Sequence, residues 1–313
     1  MKNLLRQSFQ SWLILVKLTL PALICVRLLT LFGLIGHISK PFEPLMTLMG
    51  LPKETALCWV TAMLTNNYTG IVVYLELLPI IGPQTVLQAT VIASVFLIAH
   101  NLPVESGVCR GAGVSPLRMT ILRLVAAAIY GITINQLGLA FGFGQQTASV
   151  IVGMGLDPLP PWGDWIISTI KSLAAIYLIV VALMLMMVGL RKTGLIRYLA
   201  AILDPLMRLS GVSPKATMIT VFGMIVGLAY GGGLIIAESK SGRVPKPDVF
   251  GSITLMAMCH SLFEDTIILA ALGGSLWGLL FGRIVFSVIL TRIIVHAASC
   301  NAAKPFIIGK KYI

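Results

Sequence analysis

The sequence predicts an all-α, polytopic integral membrane protein: two pseudo-symmetric repeats with interrupted or re-entrant helices, about 8–10 membrane segments in all. Three observations carry this: charges are too few to cover a water-facing surface, apolar residues come in long unbroken blocks, and costly residues recur in step between the halves. Of 313 residues, 57% are hydrophobic and 11% charged, and the mean hydropathy is +0.95. A soluble domain carries roughly a quarter charged residues. Blocks such as Leu173 to Leu190, or Leu276 to Leu290 with only Arg283 inside, suit a hydrocarbon core. Backbone in lipid needs internal partners, so continuous blocks mean helices, and the lack of alternation argues against an outer-membrane barrel.

The net charge of +12 points to membrane orientation and not to nucleic acid. The basic residues cluster between apolar blocks, as in Arg191, Lys192 and Arg197, in Lys240, Arg243 and Lys246, and in Lys304, Lys310 and Lys311. No basic run is interleaved with aromatics in a nucleic-acid pattern. Five scattered cysteines without a CxxC pair argue against a disulfide framework or a thiolate metal site. Lys2 and Arg6 precede an apolar run without a small-residue cleavage site, so that run reads as a retained first helix. Lys17 and Arg27 within it read as snorkelling side chains. The predicted setting is the inner (cytoplasmic) membrane, crossed several times.

The halves match at a shift of about 160 residues. Gly33-Leu34-Ile35 and Glu43-Pro44-Leu45-Met46 return as Gly194-Leu195-Ile196 and Asp204-Pro205-Leu206-Met207. Tyr68, Gly70 and Glu76 answer Tyr230, Gly232 and Glu238, while His100, Glu105 and Arg123 answer His260, Asp265 and Arg283. The predicted organisation is an N-terminal repeat over 1–140, a linker over 141–164 and a C-terminal repeat over 165–313. Each repeat reads as a long helix, an amphipathic connector, a helix interrupted in its middle, a segment ending at a histidine, and a last long helix. Interruptions are expected around Asn66, Asn67 and Gly70, and at Gly231, Gly232 and Gly233, since glycine disfavours a helix interior. Paired interruptions at matching places mark a transporter binding site. An even number of crossings per half makes the repeats parallel and an odd number, with five expected, makes them inverted. The charge pattern leaves that count open.

Ionisable residues inside apolar segments are costly and usually face a cavity or a partner. His100, Glu105, His260, Glu264, Asp265, Glu76 and Glu238, with Asn66 and Asn67, are therefore the candidate substrate- or ion-binding set. Arg123 and Arg283 are the candidate structural charges. His260, Glu264 and Asp265 form a candidate metal set, because an imidazole with two carboxylates can hold a divalent cation or a coupling ion, or pass protons. No HExxH, GxxxxGK[ST] or GxSxG occurs, which removes the common zinc-protease, nucleotide-motor and serine-hydrolase signatures.

The runs HNLPVES (100–106) and HSLFEDT (260–266), in this two-part arrangement, resemble bacterial membrane proteins of the nucleoside-recognition, or Gate, family. That domain is similar in pattern to gate regions of concentrative nucleoside transporters and of the ferrous-iron transporter. The chain has no GTPase domain, no cysteine-proline motif of the iron gate and no Gln-Thr-Glu signature of the nucleoside carriers. The resemblance implies a gate-like fold and transport. The expected function is a permease for a small polar solute or cation, without catalysis, and with the lipid bilayer and a homo-oligomer or partner membrane protein as surroundings. The alternatives are a non-transporting gate or assembly subunit and, third, an intramembrane metalloenzyme.

Overall fold

A computed structural model describes residues 2–150, 159–242 and 244–299. The linker residues 151–158, Arg243 and the basic stretch beyond 299 lie outside them. The described chain is helical, with one isolated β-bridge between Thr85 and Thr147. Among the described residues, five stretches are long and apolar enough to cross a membrane: Arg6–Leu31, Val86–Gly111, Pro116–Phe141, Trp162–Met186 and Trp277–Ala298. Each reaches the roughly 20 residues that a hydrocarbon core demands. The protein is a polytopic membrane protein.

Burial separates these spans into a rim and a centre. Helices α1 (Lys2–Leu31), α8 (Pro116–Phe141), α9 (Trp162–Lys192) and α15 (Arg283–Ser299, entered through a π-helical turn at Trp277–Gly282) leave most of their apolar residues uncovered. Ile14, Leu117, Ile170 and Ile293 are typical. Such a surface would aggregate in water and suits lipid. By contrast most of the apolar stretch within Val86–Gly111 is buried, so α6 (Val86–Ile98) runs through the middle. Around the rim, α1 and α9 are tied by a hydrogen bond from Trp12 Nε1 to the Leu173 carbonyl at 2.8 Å.

Two pairs of short helices pack closely as hairpins. The first is α4 (Thr55–Leu64) with α5 (Asn67–Ile81), the second α11 (Pro214–Val226) with α12 (Leu228–Ser241). At the first tip Asn66 is extended and its side chain accepts from the Thr69 amide at 3.0 Å, the cap that starts α5. At the second tip Gly227 sits at φ +107, ψ 156, a conformation open in practice only to glycine.

The helix breaks therefore lie earlier than the glycines suggest. Gly70 is inside α5, and Gly231, Gly232 and Gly233 are inside α12. Three of these glycines act as contact surfaces. A Cβ at Gly70 would fall 2.6 Å from Ala62 Cβ, one at Gly231 2.2 Å from the Gly223 Cα, and one at Gly232 2.2 Å from Val108. Only the absence of side chains lets the hairpin arms approach each other, and α12 approach Val108, this closely. Gly233 meets nothing within 4 Å.

Beside each hairpin a helix unwinds at a histidine. Helix α6 ends before His100, and α7 (Leu102–Gly111) resumes after Asn101. Helix α13 (Lys246–Met258) ends before His260, and α14 (Glu264–Ala270) follows. Asn101 and Ser261 are left-handed at φ 50 and 48, an uncommon state for residues with a side chain. The hairpins hold these kinks: the Asn101 amide donates to the Ala62 carbonyl, and the Leu262 amide to the Met224 carbonyl, each at 2.9 Å.

The loops gather on two faces. On one, the α7–α8 turn meets the α12–α13 turn, where Ser239 Oγ donates to the Ala112 carbonyl at 3.5 Å, and Gly211 after α10 (Leu195–Ser210) meets Arg292. This face carries Arg110, Lys240 and Lys246 around a cavity of about 330 Å³. On the other, Gln88 Nε2 donates to the Gly50 carbonyl and Asn135 Nδ2 to the Leu48 carbonyl, beyond the short helices α2 (Ile35–Ser39) and α3 (Glu43–Leu48). There the linker lies against the start of α6, with the Val86 and Leu87 amides donating to the Gln146 and Gly144 carbonyls. Its residues Ala148 and Ser149 also press on Gly273 in the second half.

Candidate functional site

Both unwound helices and both hairpin tips converge. A cavity of about 200 Å³ is lined by His100, Asn101 and Glu105 from the α6–α7 break, His260, Ser261 and Asp265 from the α13–α14 break, Asn66, Asn67 and Tyr68 at one tip, and Gly227 at the other. Of the sequence candidates, Asn66, Asn67, His100, Glu105, His260 and Asp265 are thus brought together.

At its wall the two imidazoles face each other, with Nε2 atoms 3.2 Å apart. Glu105 Oε1 lies 3.2 Å from His260 Nε2 and 3.5 Å from His100 Nε2, and Asp265 Oδ2 lies 3.4 Å from His100 Nε2. The opposite ring nitrogens are engaged with helix ends. His100 Nδ1 pairs with the Phe96 carbonyl at 2.8 Å and His260 Nδ1 with the Met256 carbonyl at 2.9 Å. A carbonyl only accepts, so each Nδ1 carries the proton, and a neutral ring then presents its Nε2 lone pair to the centre. All four groups are buried.

Arg123 holds this geometry from behind. Its Nη1 is ion-paired with Glu105, its Nε donates to the Ile98 carbonyl at 2.8 Å and its Nη2 to the His100 carbonyl at 3.0 Å. One side chain thus satisfies carbonyls that the break of α6 frees and fixes a carboxylate beside the imidazoles. Arg283, its counterpart in the second half, is fully buried and donates to Thr266 Oγ1 at 3.3 Å, and among the described residues its Nε and Nη1 meet no oxygen or nitrogen acceptor. The two arginines are therefore not in equivalent states.

Several expectations need correction. Glu264 does not share a metal set with His260 and Asp265; Tyr68 Oη donates to its Oε1 at 3.3 Å. The donor atoms that cluster instead are those of His100, Glu105 and His260, all within 4.8 Å of one another. Glu76 lies away from the cavity, where it accepts from Trp165 Nε1 at 2.7 Å. Glu238 falls in the last turn of α12, near the basic face, and does not line the cavity. Arg27 does not snorkel: it is buried, donates to the Pro160 carbonyl, and lies over the Trp162 and Trp165 rings at 5.3 and 5.8 Å. Sequence reasoning had no role for Asn101, Ser261 or Gly227. The signal available for the first two was their place directly after the paired histidines.

No family model matches the chain, and no solved structure matches it. A protein of Bacillus subtilis (strain 168), described as the uncharacterized membrane protein YvoD, is 29% identical over 316 residues, covering 99% of this chain and 97% of that protein. The likeness runs through every element described above, and the comparison agrees with the spans in making this chain a multi-pass protein of a membrane.

Proposed function

We propose that the protein is a gate-like secondary permease that carries a small polar solute or cation through the chamber between its two repeats. The observation that supports this best is the buried imidazole–carboxylate cluster, to which both halves contribute and against which two hairpin tips close. Burying such groups in a membrane protein is costly and marks ion and substrate routes. The chamber of about 200 Å³ compares with roughly 30 Å³ per water, enough for a partly hydrated ion or a small polar molecule. The resemblance to Gate proteins points the same way.

In this reading each half contributes three crossings, namely α1, α6–α7 and α8, then α9, α13–α14 and α15, plus one hairpin that enters and leaves by the same face. Of five helical passes per half, the two hairpin arms do not cross. An odd number of crossings inverts the second repeat, the arrangement used for alternating access. The unequal arginines fit such a cycle. Glu105 holds Arg123 in this state, and Asp265 is available to Arg283 in the mirrored one.

The basic face of Arg110, Lys240 and Lys246 should then be cytoplasmic. With the native cysteines replaced, Lys240→Cys should react with an impermeant maleimide only after cells are broken, and Gln145→Cys in intact cells. The reverse pattern would overturn the orientation.

Transport itself is tested without knowing the solute. In the same cysteine-free background, Val108→Cys at the cavity wall should react with a small impermeant thiol reagent from either side of sealed vesicles. Reaction from one side alone would sink the permease reading in favour of a non-transporting gate subunit.

A further inference from the structure

We infer that the cluster of His100, His260 and Glu105 is a binding site for a divalent first-row transition-metal ion, such as Zn²⁺, Fe²⁺ or Co²⁺. As the cargo of the proposed permease the ion rests on that reading; as a bound ligand it does not.

The triangle formed by His100 Nε2, His260 Nε2 and Glu105 Oε1 has edges of 3.2, 3.2 and 3.5 Å. A tetrahedral ion with ligands at 2.0–2.1 Å spaces them about 3.3 Å apart, so these atoms already occupy one face of its coordination shell. Their lone pairs converge. With both Nδ1 protons given to the Phe96 and Met256 carbonyls, two neutral imidazoles and a carboxylate point three acceptors at one spot. Nothing in that set donates, so the arrangement asks for a positive centre between them.

The outer groups are those that metal sites use to orient their ligands. Each imidazole is fixed through its far nitrogen by a backbone carbonyl, and the carboxylate is fixed through its other oxygen by Arg123. Asp265 Oδ2, 3.4 Å from His100 Nε2, stands where a fourth ligand or a partner for bound water would be. Mixed nitrogen and oxygen donors favour Zn²⁺, Fe²⁺ or Co²⁺ over Ca²⁺ and Mg²⁺, which take oxygen. No thiolate belongs to the triangle, so a soft monovalent ion such as Cu⁺ is a poor match. The cavity supplies an entry path that a sealed structural site lacks.

Titrating Co²⁺ into the detergent-purified full chain should saturate at one equivalent, with the intense visible absorption of a tetrahedral N/O site, and one equivalent of Zn²⁺ should bleach it. His100→Gln and Glu105→Gln should each weaken binding by about ten-fold or more, since disturbing even the outer groups of a site has that effect. Trp165→Phe, remote from the triangle, should leave it unchanged. Should the variants misfold, the extended X-ray absorption fine structure of the wild-type Co²⁺ complex decides alone, because its outer-shell scattering should show two imidazoles. A folded wild type without stoichiometric Co²⁺ binding, fine structure without imidazole scattering, or folded variants that bind like the wild type would overturn the inference. The two-sided access of Val108→Cys would stand through any of these, and a shared proton would then be the positive centre.

Discussion

Arg123→Met should melt far below the wild type, losing about 3–5 kcal/mol, the usual consequence of stripping one partner from a buried ion pair. Arg123 is 2% exposed and answers three groups at once: the Glu105 carboxylate and the Ile98 and His100 carbonyls. Methionine fills comparable volume but leaves the carboxylate uncompensated and two carbonyls of the broken helix without donors. Arg283→Met should cost less, since what the side chain holds is a 3.3 Å contact with the Thr266 hydroxyl and not a carboxylate with two carbonyls. Adding Glu105→Gln to Arg123→Met should restore part of the loss, because the unpaired charge is then gone. Thermal unfolding of the detergent-purified protein, followed by tryptophan fluorescence, measures all four. An Arg123→Met protein that melts at the wild-type temperature would show that the guanidinium is not what secures the break.

Gly231→Val should be the most damaging single change in the hairpins. The new Cβ would lie 2.2 Å from the Gly223 Cα and 2.9 Å from its nitrogen, and backbone cannot swing aside as a side-chain end can. The arms α11 and α12 must separate, an overpacking cost of about 1–3 kcal/mol or more. Their separation carries Gly227 and Leu228, which line the chamber, away from the histidines. The expected result is a lower melting temperature together with lost Co²⁺ absorption. Gly233→Ala is the control two residues on: it meets nothing within 4 Å, and alanine is favoured over glycine in a helix by about 1 kcal/mol. It should fold and bind as the wild type does. Equal behaviour of the two variants would mean that the close approach at Gly223 and Gly231 does not hold the hairpin.

Much of this was readable before any coordinates. Apolar length reveals helices in lipid directly, because a bilayer leaves the backbone no other solution. Recurrence of His100 and Glu105 as His260 and Asp265 marked the pairs that meet at the wall of one cavity. What was not legible depends on where a chain turns. A re-entrant hairpin and a crossing helix have the same composition, so the glycines of α12 read as a break when Gly231 is a contact with the other arm and Gly232 one with Val108 of α7, and the break itself needs only Gly227. Glu76 and Glu238 recur as faithfully as the histidines, yet one pairs with Trp165 and the other sits near the basic face. Recurrence alone does not fix the direction in which a side chain points. Arg27 was misread because its enclosure comes from Trp162 and Trp165, more than a hundred positions away.

The segment joining the halves is more than a tether. Its residues 144–148 are stitched to 84–87 by three backbone hydrogen bonds, and its next turn of chain rests on Gly273. It works as a clasp on the face opposite the basic loops, fastening the first broken helix to the end of the second. In the proposed permease, widening that face would have to break these bonds, whereas parting the loops on the basic side would leave them intact. The two ends of the proposed route would therefore be latched unequally, by backbone on one side and by the Ser239 hydroxyl on the other.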